Sequence, residues 1–490
     1  MQGPDVLIAG LGPVGQLLAN LLGARGVRVL AVDHAAGPSD LPRSATADDE
    51  VLRILQAAGL DGALEPHLLP QPRVSFVTAG GRRMTLLDTG GAGPNGHPVI
   101  VAWHQPTVER VLCAGLGRFA SVQARWGAGV TRLEPDGDGV TVTLQGGERV
   151  RAGWVVGCDG AGSAVRRLAG IGFAGSSFAQ PRLVVDAEVS ASPPGLDHVH
   201  FVGDPRRPAV TLPMAPGRHR WERMTSAAED HAALATAVTA GIDGTVARAT
   251  VYEFHARSAG TWRAGRVLLA GDAAHVMPPF AGQGLGAGMR DAANLAWKLA
   301  AVLDGAPAAL LDTYETERRP DVRAATRVAI AWGAVLQTRR PRLARLRDGA
   351  LLALDATPPG GWLRRRARPQ PVHRRGAVLR PRRRGHGALF PQPAVIGASG
   401  RRARLDDLLG DGWSVLGELG AEEREAWLAL GARIPAFDDV EGTVAAWLAG
   451  HGAAWVALRP DRFVFACGRA GEAGIAAAAA SAWMGKRPAS

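Results

Sequence analysis

Two short apolar runs near the N-terminus flank a segment with helical periodicity. Residues 6–10 (VLIAG) and 27–33 (VRVLAVD) are dominated by apolar side chains, which is typical of parallel strands buried on both faces. Residues 13–26 between them begin with Pro13 and carry apolar positions at helical spacing. The pattern predicts a strand–helix–strand unit at the start of the chain.

The following segment mixes helical and alternating patterns. Residues 48–59 (DDEVLRILQAAG) predict an amphipathic helix that has acidic residues in its first turn. Residues 73–88 predict a hairpin around a Gly-Gly pair, and residues 105–118 predict another helix. Residues 122–158 predict a series of short strands, because Asp-Gly and Gly-Gly turns interrupt them.

Two later apolar runs each lead into a glycine-rich loop. Residues 154–160 (WVVGCDG) and 266–275 (RVLLAGDAAH) predict buried strands, and the region 180–260 between them is strand-like with proline and polar breaks. Residues 289–303 and 307–331 predict helices. The chain is therefore expected to combine a parallel core with an inserted set of strands.

The C-terminal part divides into a basic connection and a small α/β unit. The connection continues to about residue 400 and is rich in arginine and proline. Residues 401–485 contain apolar runs at WSVLGELG, WVALRPD and RFVFACG, and an alanine-rich helix follows them. We see no internal repeat.

Composition narrows the class of protein. The chain has 490 residues and a net charge of +11, which raises the possibility of nucleic-acid binding. However, 18 arginines and only two acidic residues lie between Arg339 and Arg404, so the rest of the chain is net negative. The three cysteines are far apart, which excludes a disulfide scaffold, a cysteine zinc cluster and a dithiol redox site. The uncharged stretch 6–24 follows an acidic residue and is broken by glycines, so we expect a cytoplasmic protein without a membrane segment.

The first glycine motif lies between the first predicted strand and helix. In G10-L-G12-P-V-G15, Gly10 permits a tight turn, Gly12 allows a pyrophosphate to approach the backbone, and Gly15 allows close packing of helix on strand. Asp33 ends the second strand, where a carboxylate can bind the hydroxyls of a ribose. The motif predicts FAD or NAD rather than NADP. The alternative is a glycine-rich turn without a ligand.

The second motif covers residues 267–292 (VLLAGDAAHVMPPFAGQGLGAGMRDA). Asp272 follows a buried strand, where it could accept hydrogen bonds from a sugar or ribityl chain, and Pro278-Pro279 stiffens the loop. A run of glycines then lets the backbone approach a flat group, and the amides of the next helix would stabilise the anion of a reduced flavin. The alternative is a mobile glycine-rich lid.

The third motif covers residues 155–170 (VVGCDGAGSAVRRLAG). Asp159 and Gly160 close a strand, and Ser163 and Arg166 lie on the next turn. The alternative is a helix capped by Asp159 with Arg166 as a solvated charge.

These three motifs, in this order, resemble the FAD-dependent aromatic hydroxylases, the class A flavoprotein monooxygenases. PRSATADDEVLRILQAAGL, WHQPTVERVL, RWERM, FHARSAGTWRAGRVLLAGDAAH and LDTYETERRPDV resemble the 3-(3-hydroxyphenyl)propionate hydroxylase-like branch. The similarity covers about residues 5–335, and the tail from about 400 resembles the thioredoxin-like C-terminal domain of part of this class, here without a C-x-x-C pair.

The resemblance implies a p-hydroxybenzoate-hydroxylase-like α/β fold: a discontinuous Rossmann-like FAD domain with an inserted β-sheet substrate domain. The FAD domain would comprise 1–72, 98–178 and 262–340. The substrate domain would comprise 73–97 and 179–261. The Arg/Pro-rich connection (341–400) and a thioredoxin-like α/β domain (401–490) would follow.

The resemblance also implies the cofactor contacts. The pyrophosphate would lie against the first glycine motif, Asp33 would hold the adenosine ribose, Arg43 and Gln105 would contact phosphates and ribityl chain, and Asp159 would lie near FAD and the path of NAD(P)H. Asp272 would hold ribityl hydroxyls. The predicted cofactor residues in full are Gly10, Gly12, Pro13, Val14, Gly15, Asp33, Arg43, Gln105, Asp159, Asp272, Pro279, Gly282, Gln283, Gly284, Leu285 and Gly286.

The implied activity is a monooxygenase that uses NADH or NADPH and O2 to hydroxylate a phenolic or polyketide-type aromatic through a C4a-hydroperoxyflavin. His104, His255 and Arg223 are candidates for activating the phenol, and Arg223 or Arg257 could bind a carboxylate. His275 is expected to pack the loop after Asp272. Alternatives are a Baeyer–Villiger or epoxidising enzyme on this fold, and a non-catalytic flavin-binding regulator.

We expect a small-molecule aromatic substrate, no nucleic-acid or membrane partner, no metal site, and a monomer or homodimer. The arginines of the connection, Arg364–Arg366 and Arg382–Arg384, could bind polyanions, but a solvated loop is the simpler interpretation.

Overall fold

The computed structural model describes residues 3–226, 228–279, 282–358 and 370–484. Its helices, in chain order, are α1 (Pro13–Gly23), α2 (Asp49–Ala57), α3 (Asp61–Leu64), α4 (Gln105–Leu116), α5 (Ala164–Leu168), α6 (His231–Thr239), α7 (Gly284–Leu303), α8 (Asp312–Leu336), α9 (Pro341–Asp355), α10 (Leu405–Leu409), α11 (Ala421–Ala429), α12 (Thr443–His451) and α13 (Ala473–Met484).

The strands, in chain order, are β1 (Val6–Ala9), β2 (Val29–Val32), β3 (Thr46–Asp48), β4 (Leu68–Pro70), β5 (Arg73–Thr78), β6 (Arg83–Asp88), β7 (Ile100–Trp103), β8 (Val122–Arg125), β9 (Val130–Pro135), β10 (Val140–Leu144), β11 (Arg149–Ala152), β12 (Trp154–Gly157), β13 (Phe173–Val189), β14 (Val199–Gly203), β15 (Ala209–Ala215), β16 (Arg218–Met224), β17 (Gly244–Ala259), β18 (Arg263–Ala264), β19 (Val267–Leu269), β20 (His275–Val276), β21 (Ala394–Gly397), β22 (Arg402–Arg404), β23 (Ser414–Gly417), β24 (Phe437–Asp438), β25 (Trp455–Leu458) and β26 (Val464–Gly468).

A six-stranded sheet forms the core of the N-terminal part. Its order is β18-β19-β12-β1-β2-β8, and β1 pairs in parallel with both β12 and β2. The apolar runs predicted as buried strands occupy its centre, and every residue of β1, β2 and β12 is buried. This confirms the predicted strand–helix–strand unit. The carboxyl ends of three parallel strands therefore meet at one edge, where ligands bind in such sheets.

An eight-stranded sheet stands beside this core. Its order is β20-β17-β13-β16-β15-β14-β5-β6, and its pairs are antiparallel except for β14 with β5. Side chains alternate between two faces along each strand. One face buries Leu183, Val185 and Trp221 against α6, and the other buries Phe76 and Leu212 against the end of α8. The 73–88 hairpin is confirmed as β5 and β6.

The C-terminal part is a separate small α/β layer. Strands β23, β25 and β26 form an antiparallel sheet, and Ser414 in β23 makes a parallel bridge to Arg433. Helices α11 and α12 lie between β23 and β25, and α13 follows β26, so this segment combines helices and strands as the sequence predicts. The first 15 residues of the arginine-rich connection form helix α9. Arg364–Arg366 lie outside the described residues.

A cluster of buried charges joins the two parts. Glu317 on α8 accepts hydrogen bonds from Lys298 on α7 at 2.7 Å and from Arg459 at 2.8 and 2.9 Å. It also accepts from the backbone N–H of Ala377 at 2.7 Å, and Asp461 binds the indole N–H of Trp297 at 3.0 Å. We call these residues, together with Asn294, the interdomain charge cluster.

Within the described residues, every helix falls short of the length or apolarity needed to cross a membrane.

Candidate active site

The first glycine motif forms a turn between β1 and α1. Gly10 has a φ of +105°, and a Cβ there would lie 2.4 Å from the carbonyl oxygen of Cys158. A Cβ at Gly15 would lie 1.9 Å from the carbonyl oxygen of Gly10, whereas nothing lies within 4 Å of a Cβ built on Gly12. Gly10 and Gly15 are therefore required by close backbone contacts. Gly12 leaves free space at the N-terminus of α1, beside Pro13 and Val14. An anion fits this position.

Asp33 lies at the carboxyl end of β2, beside the glycine turn. Its carboxylate accepts hydrogen bonds from the backbone N–H of Leu11 at 2.7 Å and of Ala35 at 2.8 Å. The imidazole of His34 lies 3.2 Å away and is largely exposed. The loop thus fixes the carboxylate at the sheet edge where ribose hydroxyls are bound in such folds.

The third motif is a capped helix that is bonded to the second motif. Ser163 caps α5, and Asp159 accepts hydrogen bonds from its hydroxyl at 2.5 Å and from the N–H of Val165 at 3.0 Å. Arg166 is buried, and it donates to the carbonyl oxygen of Ala273 at 2.9 Å. The interpretation of Arg166 as a solvated charge is therefore wrong. The hydrogen bond of this buried side chain to Ala273 connects the loops after β12 and β19.

Asp272 lies in the loop that follows β19. The side chain is exposed, and among the described residues no hydrogen bond reaches it. Protein nevertheless surrounds it closely enough for burial to raise its pKa, while the charges of His275 and Arg43 lower it. An acceptor in a concave site without a protein donor is suited to a polyhydroxyl chain.

The glycine run after Asp272 begins a helix earlier than the sequence indicates. The sequence pattern predicts that this helix starts at Met289, but α7 begins at Gly284, with Gln283 as its N-cap. Glycine is a poor helix former, which hides the first turn. Close packing on α1 explains one of the glycines, because a Cβ at Gly288 would lie 2.6 Å from a methyl carbon of Val14.

The remaining loop residues border the start of α7. Gly282 has a φ of +63° and donates to the carbonyl oxygen of Pro279 at 2.8 Å, and a Cβ on it would lie 2.8 Å from the hydroxyl of Thr46. Leu285 and Gly286 lie in the first turn of α7 and are half-buried. The N-cap residue Gln283 makes no side-chain cap, and the first N–H groups of an α-helix have no partner within the helix.

Buried ion pairs fix the position of α7. Arg290 pairs with Asp48 and Glu50 at 2.7 Å each. Asp291 accepts from His275 at 2.6 Å and from Arg318 at 3.0 Å. The prediction that His275 packs the loop after Asp272 is confirmed.

Gln105, the first residue of α4, bonds to the loop before β3 that carries Arg43. The side-chain oxygen of Gln105 accepts from the N–H of Ser44 at 2.5 Å, and its amide donates to Glu109 at 2.6 Å. The side chain of Arg43 is exposed, whereas its carbonyl oxygen accepts from buried Arg220 at 2.9 Å. Gln105 therefore shapes the loop that presents Arg43.

Arg220 is a residue that the sequence analysis missed. Asp186 binds its guanidinium at 2.6 and 2.9 Å, and Arg220 also donates to the carbonyl oxygen of Pro42. Residues alternate along β16, so Arg220 and Arg218 face the loop, whereas Arg223 shares the opposite face with Trp221. The alternation of side chains between the two faces of a strand, applied to RWERM (220–224), is the sequence signal that separates Arg220 from Arg223.

The histidine candidates lie in different places. His104 caps α4, where its Nδ1 lies 3.0 Å from the hydroxyl of Thr107 and its Nε2 lies 3.4 Å from Arg218. Burial and the charge of Arg218 lower the pKa of His104 to about 4. His255 lies on β17, with Nδ1 2.9 Å from the hydroxyl of Ser177, which also accepts from Arg257. The structure thus brings His104 to Arg218, at the junction of α4 with β16, whereas His255 contacts Ser177 and Arg223 lies on the opposite face of β16.

The arrangement as a whole fits an extended dinucleotide that carries a polyol chain. Gly12 leaves space at the N-terminus of α1, Asp33 lies at the carboxyl end of β2 beside the same turn, and Asp272 offers an acceptor that no donor among the described residues uses. The N-termini of α1 and α7 both supply amides.

Comparison with known proteins identifies relatives along most of the chain. Residues 4–329 match the family described as FAD binding domain, and residues 387–482 match the HcaD C-terminal domain. A 3-(3-hydroxy-phenyl)propionate/3-hydroxycinnamic acid hydroxylase from Mycobacterium sp. (strain KMS) is 39% identical over 94% of this chain and 87% of its own length. The protein of the same name from Klebsiella pneumoniae (strain 342) is 36% identical over 94% and 91%.

Solved structures share the fold. Aklavinone-11 hydroxylase, in a ternary complex with FAD and aklavinone, aligns with a TM-score of 0.80 at 26% identity, over 98% of this chain and 99% of its own. OxyS anhydrotetracycline hydroxylase from Streptomyces rimosus aligns with a TM-score of 0.79 at 27% identity, over 99% and 100%. The flavin-dependent monooxygenase PieE, at 23% identity and a TM-score of 0.80 over 98% and 99%, shows the fold alone.

Proposed function

Because this chain belongs to the FAD binding domain family and is an FAD-dependent aromatic hydroxylase, we propose that its substrate is a phenolic acid of the hydroxyphenylpropanoate or hydroxycinnamate type. The names of the relatives, which align over most of both chains, support this substrate class. NAD(P)H and O2 are the co-substrates. A polyketide-type aromatic is the competing substrate class, supported by the shared fold of the anthracycline and tetracycline hydroxylases.

One observation carries the cofactor assignment. Three segments that are far apart in the sequence pack together: a Cβ at Gly10 would lie 2.4 Å from the carbonyl oxygen of Cys158, and a Cβ at Gly288 would lie 2.6 Å from a methyl carbon of Val14. Gly12 would lie at the pyrophosphate, Asp33 at the adenosine ribose, Asp272 at the ribityl chain, and the first turn of α7 at the ring. Asp159 supports the neighbouring loop through Ser163. Bound FAD supplies hydride acceptance and oxygen activation.

We further propose that arginines favour the ionised form of the phenol. Arg218 lies 3.4 Å from His104, and Arg110 also lies close enough to lower the pKa of that imidazole. The same positive potential would lower the pKa of a phenol held at this junction, which makes its ring more electron-rich. His104 would then orient Arg218 as a neutral acceptor rather than act as a strong base.

The domain division is proposed on the strands that share a sheet. The six-stranded sheet draws its strands from 1–72, 98–178 and 262–340, and the eight-stranded sheet draws most of its strands from 73–97 and 179–261. The order of β23, α11, the bridge at Arg433, β25 and β26 supports a thioredoxin-like unit. The loop after β23 reads ELGA, so it lacks a dithiol.

The test is substrate-stimulated oxidation of NADH and NADPH by the flavin-loaded protein. The panel contains 3-(3-hydroxyphenyl)propanoate, 3-hydroxycinnamate, 3-phenylpropanoate as the control without a hydroxyl, and polycyclic phenols, with products analysed after reaction in ¹⁸O₂. We expect stimulation and incorporation of one labelled oxygen only with the hydroxylated acids. Incorporation only into polycyclic phenols would overturn the substrate class, and oxidation without incorporation would overturn hydroxylation.

A matched pair of variants tests the role of the junction. His104→Gln retains a side-chain hydrogen-bond acceptor, whereas His104→Ala removes it. If the imidazole orients Arg218, His104→Gln keeps most of the hydroxylation yield and His104→Ala lowers it, while flavin reduction in the absence of substrate is unchanged. Equal loss in both variants would instead indicate a proton acceptor.

A further inference from the structure

A histidine cluster lies on the eight-stranded sheet, on the face opposite to that of Arg220. His198 Nδ1 lies 2.7 Å from a carboxylate oxygen of Asp197, and His198 Nε2 lies 2.6 Å from the hydroxyl of Ser75 on β5. The ring of His200 lies 4.1 Å from that of His198, centre to centre. One ligand atom from each of Asp197, His198 and His200 lies within 4.8 Å of the others.

We propose that Asp197, His198 and His200 form a binding site for a divalent transition-metal ion of the zinc class. Two imidazoles and one carboxylate are the ligands such ions use, whereas Mg²⁺ and Ca²⁺ prefer oxygen ligands alone. Asp197 is exposed, so an ion reaches the site from solvent, and the remaining coordination positions would hold water.

The surroundings of the cluster prepare the histidines as ligands. His200 lies on β14, and its side chain is half-buried beside His198. The Nε2 of His200 is buried and has no hydrogen-bond partner among the described residues. His198 can bind the ion through Nδ1 while Nε2–H donates to Ser75, which is the second-shell arrangement of many metal-bound histidines.

Two features of the cluster point to other roles, but each of them is a weaker argument than the ligand set. The chain Ser75–His198–Asp197 has the order of a hydrolase relay, but Ser75 is only 4% exposed and a substrate carbonyl cannot reach it. Arg73 pairs with Asp197 at 3.3 Å and opposes a cation, but both side chains are more than half exposed, so this pair is weak and exchanges readily with solvent.

The test is equilibrium dialysis of the full-length, flavin-loaded protein against micromolar Zn²⁺, followed by elemental analysis. We expect one equivalent of Zn²⁺ to remain bound, and its affinity to fall by about tenfold or more in Asp197→Asn and His200→Gln. His231→Gln serves as the control, since this histidine lies on α6 and its Nε2 lies 3.0 Å from the carbonyl oxygen of Ser226. His231→Gln should bind Zn²⁺ as the wild type does.

Two results would overturn the proposal. Either the wild-type protein retains no Zn²⁺, or the two site variants retain it with the affinity of the wild type and of His231→Gln. Far-ultraviolet circular dichroism and flavin content, measured on every variant, separate loss of the ion from loss of fold. Because Asp197 and His200 are not fully buried, we expect both variants to keep their flavin.

Discussion

The two ends of helix α7 are built in opposite ways. Its first turns carry Gly284, Gly286 and Gly288, and the N-cap residue Gln283 offers no side-chain cap to the first N–H groups. Its later turns carry Asn294 and Lys298, which are buried and bonded to Glu317. The first end is shaped by the absence of side chains, and the second by long side chains that must all find partners.

This contrast separates ligand binding from stability. A glycine cradle gains its free energy of binding only when a ligand is present, because it offers amides and space. The stability that a buried charge cluster gives to the fold does not depend on a ligand. Removing one partner greatly lowers that stability, because the other charges stay buried. The same helix thus joins a part that determines affinity to a part that determines folding.

The largest effect is expected in the interdomain charge cluster. Glu317→Gln leaves Lys298 and Arg459 without their shared anion, and we expect a loss of about 3–5 kcal/mol in the free energy of unfolding, measured by urea titration. Glu422→Gln, at an exposed position on α11, is the control and should change it by less than about 0.5 kcal/mol. A small effect of Glu317→Gln would show that this end of α7 tolerates an unpaired charge.

A moderate effect is expected where α7 contacts α1. Gly288→Ala places a methyl group 2.6 Å from Val14, which forces the helices apart. We expect a loss of about 1–3 kcal/mol in stability together with weaker flavin retention. Gly288→Ala combined with Val14→Ala should recover part of the stability, and a failure to do so would contradict steric crowding as the cause.

A smaller effect, confined to binding, is expected at Gly12. No atom lies within 4 Å of a Cβ there, so Gly12→Ala should leave the stability of the apoprotein nearly unchanged. The added methyl group lies where the pyrophosphate would approach, and we expect FAD affinity to fall about tenfold, or 1.4 kcal/mol, in a fluorescence titration. Equal FAD affinity in Gly12→Ala and wild type would mean that the phosphates lie elsewhere.

The smallest effect at neutral pH is expected at His373, next to the charge cluster. Burial lowers the pKa of His373 to about 3, below the ordinary value of 6.5, so the unfolded chain takes up a proton more readily. Stability is therefore lost as the pH falls from about 6.5 towards 3. His373→Phe should retain the stacking on Phe463 and move the acid-unfolding midpoint to lower pH. An unchanged midpoint would assign acid unfolding to other groups.

The cradle could be predicted from the sequence because its signals are local. The turn at Gly10–Gly15 and the carboxylate at Asp33 follow directly from a strand–helix–strand pattern. The start of α7 was misplaced by five residues, since glycines conceal a helix that tertiary packing enforces.

The charge cluster and the role of Arg220 could not be predicted in this way. Glu317 and Arg459 are 142 positions apart, and no local pattern pairs them. Arg220 and Asp186 face each other only because β13 and β16 pair in one particular register. The histidine cluster on β14 likewise depends on the neighbouring β5, which supplies Ser75.

The contacts of the C-terminal unit with the rest of the protein predict what happens when the chain between them is divided. Arg53 on α2 binds Asp406 at 2.7 and 2.8 Å, and the Glu317–Arg459 pair is a second buried contact between the two parts. These bonds are independent of the peptide chain between residues 358 and 370. A protein expressed as two fragments divided in that interval should therefore assemble and co-purify as a nicked but complete enzyme.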